Sequence, residues 1–265
     1  MKLGILAVSF GTTHLDTLEK TIQAAEADLA TAFPGACVYR AFTSGMVRNR
    51  LKSKFGLHVD SVPEALERMQ ADGVSHAVVQ TTLLIPGEEF DLLRRDVLAH
   101  AGPVKAALGL PLLWDDSDLE AMIDLLERTY PVQGDEVLLL MGHGTRHGAN
   151  DLYLRLAQRM EARGEQMALC TVEGTPTFKD AVITLNAQPR RKVRLAPLLL
   201  VAGDHAKNDM AGDDPDSLRR RLEREGFQVS CQVQGLGELP AVRQRLVARA
   251  RAAYEALQID CGYST

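Results

Sequence analysis

Three side chains of this chain are placed to do metal chemistry: His143, Glu173 and His205. Each comes at or just beyond the end of an apolar run that reads as a β-strand, and the three runs follow one another in the second half. Two imidazoles and a carboxylate form a ligand set for a divalent transition metal of intermediate softness. Holding such an ion requires neutral imidazole and ionised carboxylate. An imidazole titrates near working pH, so His143 or His205 could act first as ligand and then as base. A single histidine at a strand end is ordinarily a hydrogen-bonded surface residue. Three such groups at three successive strand ends point instead to a site, because Phe10 and Phe42 take the matching places in the first half.

A second chemistry competes for the same residues. Gly142-His143-Gly144-Thr145-Arg146-His147-Gly148 is a glycine-rich run between a strand and a helix, and Glu173 follows the next strand. A dinucleotide fold uses such parts as phosphate turn and ribose acceptor. Against this, His143 sets a bulky ring where backbone would approach pyrophosphate. The first half, with Ser9-Phe10-Gly11, lacks the glycine pattern, and no Gly-Lys-Ser/Thr P-loop occurs. No nucleotide is expected.

The remaining polar groups carry weaker signals. His14 and His147 sit at equivalent places early in their helices, which suggests a contact at the helix start. Arg48, Arg50, Lys52 and Lys54 alternate with Asn49, Leu51 and Ser53. They form a solvated face or receive the carboxylates of an acidic ligand. Glu88 and Glu89 suit a helix N-terminus; alternatively Glu89 faces a cleft opposite His205.

These residues need a scaffold of alternating strands and helices. Strands are expected at Leu3–Phe10, Cys37–Phe42, Ala77–Ile85 and Leu110–Trp114. Helices are expected at Leu15–Phe33, Val62–Ala71 with Pro63 in its first turn, Phe90–Leu98, and Asp118–Tyr130 capped by Asp116 or Ser117. The pattern then restarts: strands at Val137–Met141, Met167–Val172, Val193–Val201 and Val229–Val233. Helices follow at Asn150–Arg163 (closed by Gly164), Phe178–Asn186, Ser217–Glu225 and Pro240–Leu257. Near-continuous apolar strands between helices imply α/β architecture with parallel sheets covered on both faces. In such sheets ligands bind beyond the carboxyl ends of the strands, where the three candidate ligands stand.

The two halves also repeat. Ser9-Phe10-Gly11-Thr12-Thr13-His14 aligns with Gly142-His143-Gly144-Thr145-Arg146-His147, and Phe42 falls opposite Glu173. Leu84-Ile85-Pro86-Gly87-Glu88-Glu89 aligns with Leu200-Val201-Ala202-Gly203-Asp204-His205. The expected organisation is two similar doubly wound domains, 1–130 and 131–265, each with a four-stranded parallel sheet, joined near Tyr130–Asp135.

Composition removes other classes. The chain has 265 residues, 46% of them hydrophobic, enough for a real core. Thirty Lys and Arg against thirty-five Asp and Glu leave a net charge of −5, and aromatics are only 5%. Both features argue against nucleic-acid partners. Cys37, Cys170, Cys231 and Cys261 form no C-x-x-C pair, which argues against a thiolate zinc site or a disulfide scaffold. With no apolar run near about 18 residues and no signal-peptide cleavage site after the first strand, a cytoplasmic protein without membrane contact is expected. Homo-oligomerisation is left open.

The motifs together resemble a known family. Val8-Ser9-Phe10-Gly11-Thr12, Gly142-His143-Gly144, Thr171-Val172-Glu173-Gly174 and Gly203-Asp204-His205-Ala206-Lys207-Asn208-Asp209 are similar, in order and spacing, to the CbiK anaerobic cobalt chelatases. The resemblance runs through about Leu257. It implies a class II chelatase fold, two α/β domains facing a central cleft. It also implies ATP-independent insertion of Co²⁺ into sirohydrochlorin or precorrin-2 in anaerobic cobalamin biosynthesis. The family's metal ligands carry over to His143, Glu173 and His205. Co²⁺ is then a substrate, and the tetrapyrrole is the partner. Sirohydrochlorin bears many carboxylates, for which Arg48, Arg50, Lys52 and Arg146 are candidate receivers. Phe10, Gly11, Leu84 and Glu89 are further candidates around the macrocycle, Phe10 and Leu84 as apolar packing for its plane. The alternatives are iron insertion for sirohaem, a haem- or metal-carrying protein on the same bilobed fold and, less favoured, a dinucleotide enzyme.

Overall fold

The structure, a computed structural model, describes residues 2–164 and 166–262, with side chains through residue 259. Cys261 and the tail from Asp260 lie outside the described side chains.

The first unit opens with β1 (Leu3–Ser9). A short helix α1 (Leu15–Leu18) passes through a π-helical turn, Glu19–Gln23, into α2 (Ala24–Ala32). Then come β2 (Cys37–Phe42), α3 (Gly45–Phe55), α4 (Val62–Ala71), β3 (His76–Thr81), α5 (Glu88–His100) and β4 (Lys105–Gly109). The strands pair in parallel in the order β2-β1-β3-β4. Alternation along β1 feeds two faces. Leu6 and Val8 enter a core with Leu66, Met69 and Leu93 of α4 and α5, while Ile5 and Ala7 enter another with Leu29 of α2.

Two differences from the sequence reading have clear causes. The fourth strand is Lys105–Gly109, not the more apolar Leu110–Trp114. Pro111 has no N–H to give a ladder, so Leu112 and Leu113 are buried from the connection that follows. Residues 45–55, read only as a basic stretch, form α3. Ser44 caps its start by accepting from the Val47 N–H, and Gly56 closes it in the left-handed region at φ +67°. On a helix Arg48 and Lys52 share one face while Arg50 and Lys54 share another, so the four cations do not line one surface.

The second unit repeats the order: α6 (Asp116–Thr129), β5 (Glu136–Gly142), α7 (Asp151–Arg163), β6 (Met167–Thr171), α8 (Phe178–Asn186), β7 (Lys192–Pro197), α9 (Leu218–Arg224) and β8 (Gln228–Cys231). Its parallel sheet runs β6-β5-β7-β8. Val137, Leu139 and Met141 of β5 join Ala181, Leu185 and Leu222 in one core. The cap of α6 is Asp115, one residue before the expected pair, in a reciprocal box with Asp118.

The division of the chain differs from a cut at 130. The compact units are Met1–Leu112 with Gly237–Thr265, and Leu113–Leu236. Each half gives its last helix to the other unit. Helix α6, which ends the first half, packs on α7. There Arg155, Arg159 and Arg163 meet Asp116, Glu120 and Asp124 rung by rung. The last helix, α10 (Pro240–Gly262), returns to the first sheet, where Ala250, Ala253 and Leu257 bury against Ile5, Ala7 and Val78. An apolar stripe on the final helix goes where an uncovered sheet face awaits it, and sequence order does not determine that choice. No helix among the described residues is long and apolar enough to cross a membrane.

Candidate metal centre

His143 is the first residue beyond β5, on a turn held tightly against the turn that follows β6. Two consecutive N–H groups, of Val172 and Glu173, donate to the carbonyls of Gly142 (3.1 Å) and His143 (2.8 Å). A regular strand alternates its N–H directions, so the chain bends here. Gly144 has φ +76°, and a Cβ on it would stand 2.5 Å from the Gly174 nitrogen. Asn150 ties the two turns together: its Oδ1 accepts from the Thr145 N–H (3.1 Å) and its Nδ2 donates to the Thr175 carbonyl (2.9 Å). Below lies Tyr153, 2% exposed, whose ring fills the space a Gly142 Cβ would need. Burial pushes its hydroxyl up to about 12, opposed by hydrogen bonds from the backbone N–H groups of Gly144 and His143. Gly142 and Gly144 of the run thus serve close packing, which removes the main support for a pyrophosphate turn.

His205 opens the π-helical turn His205–Met210, seven residues beyond the N–H of Leu198 that closes the β7 ladder on Met141. Its ring meets that of His143 edge to face, with centroids 4.9 Å apart and planes at 83°. Both rings are oriented through Nδ1. His143 Nδ1 lies 2.9 Å from the Gly144 carbonyl, and His205 Nδ1 lies 2.5 Å from Asp209 Oδ2. A carbonyl and a carboxylate only accept, so both Nδ1 atoms carry a proton, and in the neutral rings that metal binding requires both Nε2 atoms have a lone pair. The pair therefore offers two nitrogen donors.

Glu173 is exposed at the neighbouring strand end. Among the described residues no group of three or more His, Cys, Asp or Glu side chains is spaced to hold a metal ion. The structure thus brings His143 and His205 together and leaves the Glu173 carboxylate apart from them. A cavity of about 350 Å³ is bounded by Thr171, Val172 and Gly174 of the Glu173 turn, by Lys179 and Arg221, and by Asp209.

The first unit carries the same turn without the imidazoles. Thr43 and Ser44 N–H groups donate to Ser9 and Phe10 carbonyls, as Val172 and Glu173 do to Gly142 and His143. Gly11, at φ +101°, packs on Phe42 as Gly144 packs on Thr171. Register places Ser9 opposite Phe42 and Gly142 opposite Thr171. The counterpart of Glu173 is therefore Ser44, not Phe42. Phe10 does match His143, and Glu89 matches His205 by the same count from Thr82 and Leu198. The expected likeness of His14 and His147 also holds: each N–H donates to the threonine two residues earlier, at 3.1 Å.

The other candidates scatter. Phe10 is 48% exposed, Leu84 is half-buried, and Arg50, Lys52 and Arg146 are exposed. Arg48 is half-buried, with Nη1 3.5 Å from Glu64. Glu89 has a buried Oε2 with no hydrogen-bond partner among the described residues. Sequence reasoning missed Asn150, Tyr153 and Asp209. For Asp209 a signal existed, since it follows His205 by four residues, the spacing at which helical side chains meet.

Among the described residues, cysteine stays out of the His143–His205 pair. Cys170 is buried beneath the turn, and desolvation pushes its thiol up to about 12. In the native protein near pH 8, Cys170 should resist iodoacetamide while the exposed Cys37 is alkylated, because the thiolate is the nucleophile. Peptide mass spectrometry after timed labelling checks this; equal labelling of both would contradict it.

Comparison with known proteins places the chain. The family model described as cobalt chelatase (CbiK) matches residues 3–255. The chain is 37% identical over 250 residues to the sirohydrochlorin cobaltochelatase of Salmonella typhimurium, covering 94% of this chain and 95% of that one. It is 35% identical over 242 residues to sirohydrochlorin cobaltochelatase CbiKC of Nitratidesulfovibrio vulgaris, covering 89% and 85%. Among solved structures, SirB from Bacillus subtilis with Fe³⁺ superposes with a TM-score of 0.66 at 15% identity, over 97% of each chain. That likeness shows the fold. The sequence matches go further: this chain belongs to the CbiK family of cobalt chelatases.

Proposed function

We propose that this protein inserts Co²⁺ into sirohydrochlorin, without ATP, in cobalamin biosynthesis. The observation that carries the reading is the His143–His205 pair, with each Nδ1 committed to an acceptor and each Nε2 left as a donor, in a chain whose relatives bear the name sirohydrochlorin cobaltochelatase.

The reaction exchanges one Co²⁺ for two pyrrole N–H protons, with no change in oxidation state. The protein must strip water from the ion, present it to the macrocycle and receive protons. Two imidazoles supply neutral ligands that hold the ion without neutralising it, so it can pass to the dianionic ring. One of them, released as the ion leaves, accepts one pyrrole proton, and the other proton passes to solvent water. The exposed side chain of Glu173 has room to change rotamer, and as third ligand its charge offsets part of the cation's. Arg146 stands three residues past His143 on an exposed part of the same turn and is the best placed of the basic candidates to take a substrate carboxylate. Free thiols at Cys37, Cys170 and Cys231 suit a reducing compartment, and we place the protein in the cytoplasm.

Sirohydrochlorin mixed with purified protein and Co²⁺, in the absence of nucleotide, should give the cobalt-complex absorption spectrum faster than the uncatalysed mixture. Parallel runs with Fe²⁺ and Ni²⁺ set the metal preference, and faster iron insertion would favour the sirohaem reading. Binding of tetrapyrrole without turnover for any of the metals would make the protein a carrier and overturn the proposal.

A further inference from the structure

We infer that Asp209 is a positioning residue for the metal centre: it fixes the tautomer and orientation of His205 so that Nε2 faces the incoming ion. This rests on the reading of His143 and His205 as ligands. The geometry is direct. Asp209 Oδ2 lies 2.5 Å from His205 Nδ1, four residues on within one π-helical turn. The turn is held by hydrogen bonds such as Ala211 N–H to the Ala206 carbonyl (3.2 Å), and by Ala206 and Met210, which are fully buried. The two polar side chains therefore project outward from a ring of backbone anchored below. π-helical turns recur at functional sites, and this one takes the place where the first unit runs on as the regular α5.

The two ligands differ in what orients them. His143 donates to the carbonyl of its own neighbour, Gly144, an acceptor that no side-chain replacement removes. His205 depends on a side chain. Asp209 is 53% exposed and His205 41%, so the bond adds little to folding, and its effect falls on the ring. A carboxylate on Nδ1–H fixes that tautomer and raises the electron density at Nε2, which makes it the stronger metal donor. Replacing such partners of a metal-bound histidine typically costs about 10–100-fold in metal affinity.

Asp209→Ala should weaken Co²⁺ binding, read from the visible absorption of the cobalt-loaded protein, by about 10–100-fold, with the thermal melt close to the parent's. Long-range ¹⁵N–¹H spectra of the metal-free protein should show His205 as the Nδ1–H tautomer in the parent and its shift toward Nε2–H in the variant. Asp209→Asn, which keeps an acceptor but loses the charge, should retain the tautomer and bind Co²⁺ more tightly than Asp209→Ala but less tightly than the parent. Unchanged cobalt affinity and unchanged tautomer in Asp209→Ala would overturn the inference; if that variant fails to fold, Asp209→Asn binding as the parent does would overturn it. The same titration with His143→Ala and His205→Ala separates the two claims. Retained binding there defeats the ligand reading, whereas loss there with parent-like binding in Asp209→Ala defeats only the role of Asp209.

Discussion

Replacing His143 or His205 with alanine is expected to lower the rate of cobalt insertion by about 10²–10⁴-fold, the range for loss of a general base, and the loss of a metal donor adds to it. Folding should be nearly untouched. Both rings stand at strand ends rather than in the core, and substitutions of that kind usually fall within about 0.5 kcal/mol. The contrast between a large rate effect and a flat thermal melt is what separates a working site from a structural one. His14 and His147 supply the comparison. They repeat in both units, but their bonds to threonine come from the backbone N–H and survive replacement by alanine, while His147 Nδ1 also accepts from the Ala149 N–H; their replacement should therefore act at most on stability and not on cobalt. Initial rates measured beside thermal melts for all four variants would test this. Parent-like rates in both the His143 and His205 variants would remove them from the mechanism.

A single methyl group added at Gly144 should do comparable damage by another route. At φ +76° an L-residue costs about 1–3 kcal/mol. The added Cβ would also lie 2.5 Å from the Gly174 nitrogen and 2.8 Å from the Thr171 Cβ. These are backbone and stem atoms that cannot swing aside. Relief requires the 143–145 and 172–175 turns to separate, which breaks the Glu173 N–H to His143 carbonyl bond and moves His143 away from His205. For a chain of this size a loss of about 3 kcal/mol lowers the melting temperature by roughly 6–12 °C. Cobalt insertion should fall in the fraction that stays folded. Gly148, with open space around its Cβ position, is the control: alanine there should change neither the melt nor the rate. If Gly144→Ala melts and turns over as the parent does, the two turns are not held as close as described.

Much of this architecture is visible in the residues. Buried parallel strands read as continuous apolar runs, so β1, β3, β5 and β7 are found easily, and the strand-end rule then leads to His143 and His205. The repeat sharpens the site because Phe10 and Glu89 stand where the imidazoles do in the other half. Other features depend on contacts between residues distant in sequence. Nothing local says that α6 and α10 exchange units, since each is an amphipathic helix suited to any open sheet face. Pro111 displaces the fourth strand from the most apolar stretch to Lys105–Gly109 because one missing N–H outweighs hydrophobicity. Strand-end position alone pairs Phe42 with Glu173. The bend at Val172–Glu173 carries the carboxylate two residues past the ladder, and its counterpart is Ser44. Asn150 and Tyr153 act through the turns they hold, which no motif announces, whereas Asp209 acts on the His205 ring and is signalled only by its four-residue spacing from it.

The claim that His143 and His205 hold the cobalt to be inserted is tested most directly by locating the ion. Crystals soaked in Co²⁺ and measured at the cobalt absorption edge should give an anomalous peak in contact with both Nε2 atoms, about 2.0–2.2 Å from each, the range for comparable divalent ions. The Glu173 carboxylate should turn into the same coordination sphere. A peak on the cysteines, or at His14 and His147, with none between His143 and His205, would contradict the account.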